Sequence, residues 1–100
     1  MRLIKKMVDQ IKEEIHGAGE YLDCAFNLKQ EYPKLSQSYY DLAQDELVHI
    51  QTLHNGVVAL IEETKKKVTP PPFMMELWEE EHVKLIDKMA KLKHKMTLYK

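Results

Sequence analysis

The sequence predicts an all-α protein, a long antiparallel helical hairpin followed by a third helix. Three observations lead there. Gly and Pro number only three and four in 100 residues, whereas a β sandwich needs many more turn signals. Apolar residues recur every three or four positions along most of the chain, the period of a helix surface. Prolines interrupt that pattern at two places, "EYPK" around Pro33 and "TPPPF" over 69–73, where they read as boundaries with a new helix following.

The elements are expected over about 2–31, 34–67 and 72–98. In the first, Ile4, Met7, Val8, Ile11, Ile15, Ala18, Leu22 and Ala25 share one side. In the second, Leu35, Tyr39, Leu42, Ile50, Leu53, Val57, Leu60 and Ile61 do so. In the third, Met74, Trp78, Leu85, Met89, Leu92, Met96 and Tyr99 form the stripe, with Met74, Met75, Met89 and Met96 read as core filling. The first two helices reach about 45 to 50 Å at 1.5 Å per residue. So thin a pair covers its own apolar faces poorly, so self-association is expected.

One hundred residues make one domain, 1–100. Fifteen basic and sixteen acidic residues give a formal charge of −1, which offers no overall attraction to nucleic acid or anionic lipid. No stretch approaches the roughly 18 to 20 apolar residues of a membrane span. The start, "MRLIKKMVDQIKEEI", is periodic and charged, unlike a signal peptide. The only cysteine, Cys24, excludes an intrachain disulfide. A soluble cytoplasmic protein is expected.

The informative residues are polar ones inside apolar stripes. Glu46 lies almost at the centre of the second stripe. His49, three positions on, points to the same side. Glu14 lies at the edge of the first stripe, between Ile11 and Ala18. An ionised carboxylate there is costly unless a cation or strong hydrogen bonds compensate. Glu13 and His16 repeat the spacing but point outward, as do Glu20 and Asp23. Glu79 and His82 repeat it again, with Glu79 facing out. Glu81 falls within the third stripe and His82 at its edge, so both remain metal-ligand candidates, although Glu81 is expected roughly 15 to 20 Å along the axis from Glu46. His54 reads as a surface or boundary residue. Acid early and base late in the third helix, Glu76 to Glu81 and then Lys88 to Lys100, complements the helix dipole.

One Glu on one helix and Glu-x-x-His on the next resembles half of the ferritin-like di-iron pattern, in which two helices each give a Glu and two others each give a Glu-x-x-His. "EEIHGAGEYLDCA" supplies Glu14, and "YYDLAQDELVHIQTLH" supplies Glu46 and His49. Their separation is similar to that in rubrerythrin-type and encapsulated ferritins. The resemblance covers roughly residues 4–65. Two chains about a two-fold axis would supply the complete ligand set, so a homodimer, or a higher homo-oligomer, forming a ferritin-like four-helix bundle is implied. Encapsulation itself is not. The resemblance implies a di-iron centre, two ions per dimer, with Glu46 bridging and Glu14 and His49 terminal, and ferroxidase or another oxidoreductase activity. Manganese or zinc also suits carboxylate and imidazole donors. Tyr21 and Tyr39, about two turns away on the same faces, are expected to hydrogen-bond ligands, carry electrons or simply fill core. Two other classes stay open: a helical interaction bundle in which Glu46 and His49 bond each other or a symmetry mate, and a metal scaffold without redox turnover.

Overall fold

In the structure, a computed structural model that describes residues 2–99, the chain forms α1 (Arg2–Leu28), α2 (Pro33–Lys67) and α3 (Pro72–Tyr99). No strand occurs among the described residues. A residue before proline is pushed out of helical backbone, and Tyr32 obeys, with φ −133° and ψ 68°. Helix α1 therefore stops at Leu28 instead of near residue 31. The intervening turn is closed by the Tyr32 amide donating to the Leu28 carbonyl at 2.8 Å. Pro33 opens α2, where an amide proton would have had no helical partner. At the other end Lys65, Lys66 and Lys67 complement the dipole, and the amide of extended Val68 donates to the Thr64 carbonyl at 2.9 Å.

The helices make a rod of 56 × 18 × 17 Å. Its core falls into two parts. One joins Ile4, Val8 and Ile11 to Ile50, Val57 and Ile61, with Met74, Trp78 and Leu85 from α3. The other, near the α1–α2 turn, gathers Ala18, Leu22, Ala25, Tyr40 and Ala43 around Leu92, Met96 and Tyr99. The small alanines there leave room for a large ring. Tyr99 stacks on Tyr40 with centroids 4.5 Å apart, and Phe26 meets its edge at 5.6 Å. Ser36, fully buried, donates its hydroxyl proton to the Ala25 carbonyl and accepts from the Tyr99 hydroxyl at 2.7 Å. The Lys29 ammonium lies 4.7 Å over the Tyr99 ring and donates to the Tyr99 carbonyl.

The third helix packs its backbone on α1 only. No described Cα of α2 lies within 8 Å of one in α3, so side chains alone join those two helices. This explains one departure from the expected stripes. Leu35 and Leu42 are 49% and 40% exposed, while Ser36, Tyr40 and Ala43 nearby are buried. Helix α2 has to face both α1 and the groove under α3. In the first half of α2 the buried line is consequently shifted by about one residue, 100°, from the expected one, while Ile50, Val57 and Ile61 are buried as expected.

That rotation leaves a flank of the α1–α2 pair open. Contacts to α3 come from Lys12, Asp23 and Lys29 on α1 and from Ser36, Tyr40 and His54 on α2. On the other side of the seam lie half-buried Met7, Glu14 and Tyr21 from α1. Leu35, Tyr39, Leu42, Glu46, His49, Leu53 and Leu60 from α2 run beside them.

Candidate metal centre

Glu14 sits halfway along α1, while Glu46 and His49 share a turn of α2. Antiparallel pairing brings the three together: each offers a ligand atom within 4.8 Å of the others. His49 Nδ1 is 3.6 Å from Glu14 Oε2 and 3.6 Å from Glu46 Oε1. That is too long for a hydrogen bond. It is close to the spacing of donors that surround one ion, about 3.0 to 3.5 Å for bonds of about 2.0–2.2 Å. The side chains of Glu46, Glu14 and His49 are 16%, 33% and 56% exposed, so the cluster opens outward along the flank. Among the described residues no Lys or Arg pairs with either carboxylate. The donor set thus fits a cation: two acidic groups held near one another, one imidazole beside both, and no protein cation in between.

Tyr21 and Tyr39 lie beyond this cluster toward the turn, their ring centroids 6.2 Å apart. His16 pairs with Glu20 at 2.7 Å in solvent, and Asp23 with Lys95, both away from the seam as their helical phase demands.

Glu81 and His82 do not join the cluster. Glu81 bonds Lys12 of α1 at 2.8 Å and lies 3.8 Å from Lys84. The hydrogen bond from Lys12 lowers its pKa against the opposing effect of burial. His82 turns to α2, its Nε2 lying 3.0 Å from His54 Nε2 and its ring stacked on Trp78 at 4.7 Å. Burial, with the nearby His54, lowers the pKa of His82. The boundary reading of His54 missed this pair. A signal was present, since His54 continues the line Ser36, Tyr40, Ala43, Ile50, Val57 and Ile61 at helical spacing. Trp78 and His82 are one turn apart on α3.

No family model, curated protein or solved structure matches this chain.

Proposed function

We propose that two copies of this chain pair through the open flank and hold two metal ions between them, as a ferritin-like di-metal protein. The reading is carried by one observation: Glu14, Glu46 and His49 converge within 4.8 Å on the same flank that leaves Leu35 and Leu42 exposed. Two-fold pairing would bring a second triad to the first, doubling the carboxylates from two to four. It would also cover leucines whose burial favours association.

Iron is the metal we assign, and its role would be to supply redox chemistry toward dioxygen or peroxide. The chain's own part is positional. Glu46, the least exposed of the three, is the group best placed to be shared between two ions, with Glu14 and His49 each holding one. The apolar flank would exclude water around them. Tyr21 and Tyr39 would wall the site on the turn side.

The test is elemental analysis of size-separated protein produced with iron, alongside dioxygen consumption after anaerobic Fe(II) loading. The expected result is about one ion per chain in a dimer peak, with both ion and oxygen uptake lost in Glu46→Ala. A dimer that takes up no Fe(II) would instead make the acidic seam an interface between helices and refute the enzyme.

A further inference from the structure

The groove between α2 and α3 holds a second constellation, on the other side of α2 from the carboxylates. A cavity of about 440 Å³ is lined by apolar side chains, among them Ile50, Leu85 and Met89, and by four polar ones, His54 and His82 with Gln51 and Lys93. The two imidazoles meet at 3.0 Å through their Nε2 atoms. His54 Nδ1 is buried and has no hydrogen-bond partner. Trp78 stacks on the His82 ring at an interplanar angle of 10°, which sets the plane of that ring. Since backbone contact between α2 and α3 is lacking, this pair sits where the two helices are joined only by side chains.

From this arrangement we infer that His54 and His82 form a second metal site, a two-imidazole clamp for a borderline divalent ion of the zinc class, distinct from the carboxylate cluster. Two nitrogens bound to such an ion at about 2.0–2.1 Å stand about 2.9 Å apart at a right angle and about 3.3 Å apart in a tetrahedron. The observed 3.0 Å lies between these limits. Without an ion, two neutral rings share one Nε2 proton as an N–H···N bond. When the ion binds, that proton leaves Nε2 for water and the same ring takes one up at its Nδ1, so each neutral ring offers an Nε2 lone pair to the ion. All-nitrogen donors favour zinc over the oxygen-preferring ions that suit Glu14 and Glu46. Water or a small ligand entering from the cavity completes the coordination. The bound ion links α2 to α3, so its effect is to fasten the third helix.

Zinc titration of chelator-treated Glu46→Ala protein isolates this site from the other. The chain's only tryptophan, Trp78, reports it. Zinc is expected to change Trp78 emission and raise the melting temperature, and His82→Gln in the same background to weaken zinc by about tenfold or more, about 1.4 kcal/mol. His54→Gln should act alike. Imidazole nitrogen NMR of the Glu46→Ala protein, which needs no further variant to fold, should move the His54 and His82 ring signals and leave His16 and His94 in place. Ring signals of His54 and His82 that stay put under zinc, or zinc binding unchanged by His82→Gln, would overturn the proposal and leave a hydrogen bond only.

Discussion

The acidic seam makes a thermodynamic prediction that runs against the usual effect of mutating a site. In metal-free protein Glu14 and Glu46 hold like charges whose oxygens are at most 4.8 Å apart, with no Lys or Arg pairing either among the described residues. Coulomb repulsion at that distance, with the high effective dielectric of a partly exposed pair, is about 1 to 2 kcal/mol. Glu46→Gln removes one charge while keeping the side chain's shape. In chelator at about pH 8, above the usual imidazole range, the variant should be more stable than wild type by about 1 kcal/mol. For a domain of this size that is about 4 to 8 °C in melting temperature. Manganese(II), a redox-silent ion that suits carboxylates, should reverse the order. At about a hundredfold excess over its dissociation constant it adds about 2.7 kcal/mol to a protein that binds it, and the neutral amide of the variant lacks the charge needed to share in that gain. Thermal denaturation of both proteins, with and without manganese, reads all four values. A Glu46→Gln protein less stable than wild type in chelator would refute the reasoning, because Glu46 would then be making a stabilising bond that the seam does not show.

Three further outcomes are expected. Leu42→Glu places a charge on the open flank. Since a buried leucine contributes about 1.5 to 3 kcal/mol, sedimentation should show the affinity of the proposed dimer falling by about tenfold or more, with monomer helicity unchanged. Acid should loosen α3 first in chelator-treated protein. His82 has a folded pKa below its ordinary 6.5, so the unfolded chain takes up the proton more readily and stability, full above that value, falls as pH drops beneath it. Glu81, lowered by its bond from Lys12, contributes stability above the ordinary carboxylate range that is lost as pH falls through its folded value. Trp78 emission against pH should show the His82 step, and His82→Gln should erase it. Finally, Ser36→Ala leaves the Ala25 carbonyl and the Tyr99 hydroxyl without their buried partner, and urea denaturation should show a loss of about 1 to 3 kcal/mol.

How much of this was legible in the sequence varies with the number of neighbours each helix has. The stripes of α1 and α3 match their buried faces closely: Ile4, Val8, Ile11, Ala18, Leu22 and Ala25 in one, Met74, Trp78, Leu85, Leu92, Met96 and Tyr99 in the other. The hairpin and its proline boundaries follow from backbone chemistry alone. Helix α2 was harder to read because its apolar arc is broad, spanning Leu35 and Leu42 on one edge and Tyr40 and Ala43 on the next. Periodicity finds such an arc but not which part of it a third helix will cover. Ser36 illustrates the difficulty. A serine reads as surface, yet it is buried because Tyr99, sixty-three positions away, brings the hydroxyl it needs.

The same geometry explains why one histidine of α2 was singled out and the other was not. His49 and His54 are five residues apart, about 140° around the helix, and so belong to different faces. A single inward stripe can contain one or the other. His49 lies on the flank with Glu14 and Glu46, where the donors are half open and their neighbours Leu35 and Leu42 remain uncovered. His54 lies in the groove, where His82 and Trp78 already meet it. Helix α2 therefore carries two sets of polar side chains with opposite needs. The outer set meets no Lys or Arg among the described residues, and in the proposed dimer a second copy would bring its partners. The inner set has its partner in α3, and a shared ion there would tighten a junction that side chains alone make. Breaking the outer set should accordingly change the proposed assembly and spare the attachment of α3, whereas breaking the inner set should weaken the α2–α3 junction, with α3 still packed on α1, and spare assembly.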